Sequence, residues 1–122
     1  MRILIVVLML VSGAAWGGVA VDGKSQPILF YSGNELLRDC GDEGYYLQGF
    51  CFGYIVGVFD DTSALSIYGD NAVHPCAPPN VQAGQILDIV KQWLAYNPDK
   101  RHLSAALIVR TATIEAFGAC QY

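Results

Sequence analysis

The sequence predicts an all-α fold: a disulfide-stapled bundle of about four helices that follows a cleaved signal peptide. Three observations lead to this fold class. Apolar residues recur at helical spacing in several long segments, four cysteines lie in a short chain, and the N-terminus carries an unbroken apolar run. Amphipathic segments joined by short loops are the pattern of a helical bundle.

Residues 1–20 have the layout of a secretory signal peptide. Arg2 supplies the positive start, residues 3–11 are apolar, and small residues follow. We expect cleavage after Gly17 or Ala20. The alternative is an uncleaved membrane anchor, which is disfavoured because the apolar run falls short of the roughly 20 residues that a spanning helix needs.

The rest of the chain, about 100 residues, suffices for one small domain. We expect a flexible N-terminal lead over residues 21–31 and the helical domain over residues 32–122. The net charge of −4 becomes more negative by one when Arg2 leaves with the leader. An acidic domain has no basic surface to neutralise phosphates, so nucleic acid is excluded as a partner, whereas a basic protein would be attracted.

Four cysteines in a small exported domain predict two disulfides. They are Cys40, Cys51, Cys76 and Cys120. Of the three possible pairings we favour Cys40 with Cys120, which would tie the front of the domain to its C-terminus. Cys51 then pairs with Cys76. The alternative is a zinc site that includes His74 and His102, but the spacings lack a Cys-x-x-Cys or His-x-x-x-His pair, and we expect no metal and no cofactor.

The first two helices follow from caps and periodicity. Ser32, Gly33 and Asn34 are cap residues ahead of a short helix over residues 35–38 that ends near Cys40. A longer helix is predicted over residues 43–64. Its apolar positions at helical spacing are Leu47, Phe50, Cys51, Tyr54, Ile55 and Val58.

A glycine stripe runs down this second helix. Gly49, Gly53 and Gly57 recur every four residues, and each costs a helix about 1 kcal/mol relative to alanine. We therefore expect another helix backbone to pack closely against the stripe. The alternative is a pair of β-strands, since tyrosine, phenylalanine, valine and isoleucine also favour strands.

Two further helices complete the bundle after a loop over residues 67–79. The third is predicted over residues 81–96, with an apolar stripe of Ile86, Ile89, Val90, Trp93 and Leu94. It stops at Asn97, because a residue before proline is disfavoured in the α region. A charged connector over residues 98–102 leads to the fourth helix over residues 103–117, which ends at Gly118. Its expected inward residues are Leu103, Ala106, Leu107, Ile114 and Phe117, and its outward residues are Arg110, Thr111 and Glu115.

The sequence does not support catalysis. Every cysteine is assigned to a disulfide, and Asp60 and Asp61 point about 100° apart on a helix, so their carboxylates do not converge. No glycine-rich phosphate loop is present in the strand–turn–helix setting that it requires. We therefore expect a protein that is not an enzyme.

Two exposed segments are the candidate partner contacts. Their residues are Tyr68, Asp70, Asn71 and His74 in the loop, and Asp99, Lys100, Arg101 and His102 in the connector. The alternative for the loop is a plain connection. For His102, binding a partner's carboxylate competes with capping the fourth helix or packing against the third.

An ordered set of motifs resembles the Rap/Tai family of type VI secretion immunity proteins over residues 33–120. The motifs are Asn34-Glu35-Leu36-Leu37 before Cys40, Cys51-x-Gly53-Tyr54-Ile55-x-Gly57-x-x-Asp60, Cys76-x-Pro78, Val81-x-x-x-Gln85, Leu94-x-x-Asn97-Pro98-x-x-Arg101-His102, and Ala116-Phe117 before Cys120.

This resemblance implies a periplasmic, mostly helical, disulfide-bonded protein that forms a homodimer. It further implies a partner, a cell-wall-cleaving amidase effector with a Cys-His active site, which the protein blocks by steric occlusion without chemistry of its own. The alternatives are a small periplasmic stress or acid-response chaperone and an exported adaptor module that has no effector partner.

Overall fold

The computed structural model describes residues 30–68 and 73–120, with the side chains of residues 66–68 left out. The expected signal peptide, nearly all of the expected lead and residues 69–72 of the expected loop lie outside these residues. The helices are α1 (Gly33–Gly41), α2 (Tyr45–Tyr68), α3 (Ala83–Tyr96) and α4 (Ala105–Phe117). The predicted all-α bundle is confirmed.

Two very short strands accompany the helices. β1 (His74–Pro75) pairs antiparallel with β2 (Ala119–Cys120), with His74 opposite Cys120. This pair was not predicted, because a strand of two residues carries no periodic signal. It closes the end of the chain against the segment that follows α2.

Local capping sets where α1 begins. Ser32 is its N-cap, and the Ser32 Oγ accepts a hydrogen bond from the Glu35 N–H at 3.4 Å. In return the Glu35 carboxylate accepts from the Ser32 N–H at 2.7 Å, which completes a capping box. The predicted cap is therefore the observed one.

α2 runs to Tyr68, beyond the predicted end near residue 64 and into the predicted loop. Thr62 and Ser63 lie directly before the predicted end. The Thr62 hydroxyl donates to the Val58 carbonyl at 2.8 Å, and the Ser63 hydroxyl donates to the Phe59 carbonyl at 3.0 Å. These bonds satisfy both hydroxyls within the preceding turn, so the helix continues.

The core lies where the four helices meet. Its fully buried side chains include Leu36, Ile55, Ile86, Leu94, Ile108, Val90 and Val109. The stripe predicted for α3 is largely confirmed, with Ile86, Val90 and Leu94 buried and Ile89 half-buried.

Leu103 and Phe117 are half-buried against the core as predicted, but the rest of the predicted inward face of α4 was wrong. Ala105, Ile108, Val109 and Ala112 are buried, whereas Leu107 is 49 % exposed. A contact outside α4 helps to orient this helix about its axis. The Ala105 N–H donates to the Tyr31 carbonyl at 2.9 Å, which anchors the start of α4 beside α1.

The glycine stripe of α2 was also misassigned. A Cβ atom added at Gly49, Gly53 or Gly57 would meet no other atom within 4 Å, so no helix of the described chain packs there. The glycine that a close approach does require is Gly33 at the start of α1. A Cβ atom there would lie 2.8 Å from the Arg101 carbonyl oxygen.

Two disulfides are present, as predicted, but their pairing differs from the favoured one. Cys40 pairs with Cys51, with Cα atoms 5.1 Å apart, because residues 42–44 connect the end of α1 directly to the start of α2. Cys76 pairs with Cys120, with Cα atoms 5.2 Å apart. The pairing of β1 with β2 brings these two cysteines together.

A buried carboxylate links α1 to the chain before it. Asp39 accepts the Tyr31 hydroxyl at 2.6 Å and the Arg38 Nε at 2.8 Å. The hydrogen bond from Arg38, followed by that from Tyr31, holds the pKa of Asp39 below its usual range. Burial, together with Asp39, raises the pKa of the Tyr31 hydroxyl well above its ordinary value.

We expect Asp39→Asn to lower the free energy of unfolding by about 2 kcal/mol near neutral pH, because two hydrogen bonds lose their charged acceptor. The pKa of Asp39 is lower in the folded than in the unfolded chain, so its contribution is present above about pH 4 and is lost as pH falls through the folded value. Urea unfolding at several pH values should show that the free energy of unfolding falls less steeply with decreasing pH in the variant than in the wild type.

Asp88→Asn is the matched control, since it removes an exposed carboxylate from α3. If the free energy of unfolding of Asp39→Asn fell with decreasing pH as steeply as that of the wild type, the lowered pKa of Asp39 would be contradicted.

Candidate partner-binding site

A concave cleft between α3 and α4 lies next to the predicted connector contacts. Its volume is about 270 Å³. The residues that line it are Ile89, Gln92, Trp93, Tyr96, Asn97, Ala112, Glu115 and Ala116. This mixture of apolar, aromatic and polar side chains suits an anchor side chain of another protein.

One hydrogen bond joins the two walls of the cleft. The Trp93 Nε1 of α3 donates to the Glu115 Oε2 of α4 at 2.7 Å. Trp93 is nearly buried, so its indole N–H needs an acceptor, and Glu115 provides one from the solvent-exposed face of α4. The bond fixes a carboxylate at the mouth of the cleft, where it can receive a basic or hydrogen-bonding group of a partner.

The rim is formed where α3 ends. Tyr96, the last residue of α3, is 76 % exposed. The 3₁₀ turn Pro98–Lys100 follows, and the Lys100 Nζ lies 5.6 Å from the centroid of the Trp93 ring, within cation–π range. Lys100, a predicted contact residue, therefore stands at the edge of the cleft.

Arg101 has an internal role. Its Nε donates to the Leu94 carbonyl at 2.7 Å and its Nη2 donates to the Ala95 carbonyl at 3.1 Å. These carbonyls belong to the last turn of α3, where a helix lacks its own donors and a cation is favoured. The predicted contact Arg101 thus holds the connector against α3.

Asp99 and His102 are exposed, as a contact residue requires. The expectation that His102 caps α4 or packs against α3 was wrong, because Ser104 is the N-cap of α4 and the His102 side chain faces solvent. Together with Lys100, these two residues form a polar, charged surface beside Tyr96.

The second predicted contact segment is not assembled as expected. Asp70, Asn71 and the side chain of Tyr68 lie outside the described residues. His74 is only 6 % exposed and belongs to β1, so it does not offer a surface contact. The pairing of β1 with β2 buries it.

The remaining motif residues support the helices. Tyr54 is half-buried against Tyr31, with ring centroids 4.9 Å apart, and burial raises the pKa of its hydroxyl. The Gln85 Oε1 accepts the Gln82 N–H at 2.8 Å at the start of α3. Pro98 opens the 3₁₀ turn, whereas Asp60 and Pro78 are exposed.

Sequence reasoning missed Trp93, Tyr96 and Glu115 as site residues. Trp93 was predicted in the core stripe and Glu115 on the outward face, and both predictions are confirmed. Neither prediction indicated that the two side chains meet. The position of Tyr96 directly before Asn97-Pro98, at the predicted end of the helix, was the one available signal. The contact between Trp93 and Glu115 joins residues 22 positions apart, which periodicity does not reveal.

Comparison with known proteins gives one family. The family model described as Rap1a immunity proteins matches residues 32–120, a range that includes all four helices and both disulfides. No significant match was found among curated proteins or solved structures. Within the described ranges, none of the helices combines the length and apolar character needed to cross a membrane. The chain belongs to the Rap1a immunity protein family.

Proposed function

We propose that this protein binds a cell-wall-degrading, amidase-type effector of type VI secretion in the periplasm and blocks it by steric occlusion. The observation that carries the proposal is the family match over residues 32–120. Membership of an immunity family indicates a protein that binds an effector partner, and such proteins are typically inhibitors without catalysis. The proposed role is accordingly not enzymatic.

The proposed location is supported by the two disulfides, which persist in oxidising compartments such as the bacterial periplasm. Disulfides and family together indicate an exported protein. Residues 1–20 would then be removed as the signal peptide, residues 21–31 would form a lead, and residues 32–122 would be the binding domain.

The tip of the bundle between α3 and α4, residues 96–102, is the proposed inhibitory element. Tyr96 offers a large exposed side chain with a polar end, and Asp99, Lys100 and His102 surround it with exposed polar groups. Arg101 ties this tip to the last turn of α3, so little conformational entropy is lost on binding.

Electrostatic steering is the second part of the proposed mechanism. The chain carries a net charge of −4, and Glu115 holds a carboxylate at the mouth of the cleft. An effector that binds cell wall through a basic surface would be attracted by this charge, which raises the association rate. The tip would then fill the effector's cleft and exclude its substrate.

We expect Tyr96→Ala to weaken inhibition of the effector about tenfold or more, because an exposed aromatic anchor contributes strongly to protein interfaces. The measurement is a titration of the effector's amidase activity on peptidoglycan with the oxidised domain. Phe30→Ala is the control, since Phe30 is an aromatic residue with 88 % exposure outside the tip.

Equal inhibition by Tyr96→Ala and Phe30→Ala would reject the tip as the contact. Failure of the wild-type protein to inhibit the effector at all would reject the function itself. Binding of many unrelated proteins with increasing strength at low pH would instead indicate a chaperone.

We also propose that the protein is a homodimer, in line with the resemblance to dimeric family members. Light scattering of the oxidised domain during size-exclusion chromatography measures its mass directly.

A further inference from the structure

α2 presents a long apolar surface that no other part of the described chain covers. We define the outer face of α2 by its outward residues Tyr45, Tyr46, Gly49, Phe52, Gly53 and Gly57. Tyr45 is 94 % exposed, Tyr46 82 % and Phe52 41 %. Asp60 and Asp61 are the charged residues of this 24-residue helix, and both lie toward its C-terminal end. An extended apolar surface of this kind marks an interaction site.

The glycines of the outer face are not explained by packing within the described part of the chain. A Cβ atom at Gly49, Gly53 or Gly57 would meet nothing within 4 Å, so none of the three relieves a contact with residues 30–68 or 73–120. Each nevertheless costs the helix about 1 kcal/mol relative to alanine. A glycine also allows another backbone to approach closely, so a backbone outside the described residues can provide the compensating contact.

Two pairs of positions on this side of α2 are spaced symmetrically about Gly53. Gly49 and Gly57 lie four residues to either side of it, and Tyr46 and Asp60 lie seven residues to either side. Positions seven residues apart drift by only about 20° around a helix, so they share one face. The set therefore matches itself when a second copy is placed antiparallel with the two helices crossing at Gly53.

Charge selects the antiparallel arrangement. In an antiparallel pair, Tyr46 of one copy faces Asp60 of the other, and the tyrosine hydroxyl donates to the carboxylate at both ends. In a parallel pair the two Asp60 carboxylates would lie side by side, and like charges in contact are destabilising. A two-fold antiparallel contact also covers both outer faces at once, which closes the assembly as a dimer.

We propose that a second copy of this chain docks on the outer face of α2, with the two α2 helices antiparallel and crossing at Gly53. This inference rests on the proposed homodimer and identifies its interface. The cleft between α3 and α4 has no lining residue on α2, so the dimer leaves both clefts free for an effector.

The first test is Gly53→Leu in the oxidised domain, measured by light scattering over a range of concentrations. We expect a wild-type dimer and a variant whose dimer dissociation constant is raised at least about tenfold, because the leucine side chain separates the crossing helices. Gly84→Leu is the matched control, since Gly84 is also an exposed helical glycine with nothing within 4 Å of an added Cβ atom. Far-UV circular dichroism should show both variants folded.

The second test concerns register. Gly53→Cys should cross-link to itself through a short bis-maleimide reagent, whereas Gly49→Cys and Gly57→Cys should cross-link only when the two variants are mixed. Self-cross-linking of Gly49→Cys alone would overturn the antiparallel arrangement.

The outcomes separate this interface from the proposals on which it rests. A dimer that persists in Gly53→Leu would overturn the interface alone. A wild-type protein that is monomeric at every concentration would overturn both dimer and interface. If that monomer lost effector binding on Gly53→Leu, the outer face would belong to the effector instead. Inhibition of the amidase is measured separately, so the proposed immunity function is tested independently of the dimer interface.

Discussion

Replacing Cys76 and Cys120 together by alanine is expected to lower the free energy of unfolding by about 4 kcal/mol, the largest effect that we predict. The bond closes a loop with a sequence separation of 44, against 11 for the bond between Cys40 and Cys51. In the chain-entropy description the constraint on the unfolded state grows with the logarithm of loop length, which gives about 4 kcal/mol for the longer loop and about 3 kcal/mol for the shorter. Denaturant unfolding of the two double variants measures the difference directly.

Thiol titration adds a second readout that distinguishes the observed pairing from the one favoured by sequence. The variant that lacks Cys76 and Cys120 should contain no free thiol, because Cys40 and Cys51 remain bonded to each other. With the alternative pairing, the same variant would expose two unpaired cysteines. Finding those two thiols would contradict the structure.

Gly33→Ala is expected to destabilise the fold by about 3 kcal/mol, at the upper end of the effects of overpacking. An added Cβ atom would overlap the Ile108 side chain and lie 2.8 Å from the Arg101 carbonyl oxygen. That oxygen has little freedom to retreat, because it accepts the Asn34 N–H at 2.8 Å. Thermal or denaturant unfolding measures the loss.

Gly84→Ala is the control for this substitution. Its added methyl group meets nothing within 4 Å, so alanine should stabilise α3 by up to about 1 kcal/mol. If Gly33→Ala and Gly84→Ala were equally stable, the close approach of α1 to the connector would be wrong. Gly33→Ala should also weaken effector binding, since Arg101 belongs to the proposed inhibitory tip.

The four helices and several of their ends could be predicted from sequence because their signals are local. The capping pair of Ser32 and Glu35, the stop at Asn97-Pro98 and the turn at Gly118 act within one helical turn of the residues involved. The buried stripe of α3 follows from the 3.6-residue period alone. The number of disulfides followed from the count of cysteines in a small exported chain.

Part of the candidate site could also be predicted. Asp99, Lys100 and His102 lie on the exposed connector, where the sequence placed them. Arg101 lies on the predicted segment, but it was predicted to contact a partner, whereas its guanidinium group binds within the protein. Only the folded chain shows that the last carbonyls of α3 bind it.

By itself, then, the sequence determined where the helices form, that there are two disulfides and which family motifs the chain carries. Tertiary structure decided which cysteines pair, which side of α4 is buried, how Trp93 meets Glu115 and that the glycines of α2 face outward. The physical reason is the separation along the chain over which the deciding interactions act. Helix formation responds to neighbours within about four residues, whereas these other features depend on how whole helices pack against one another across long stretches of chain.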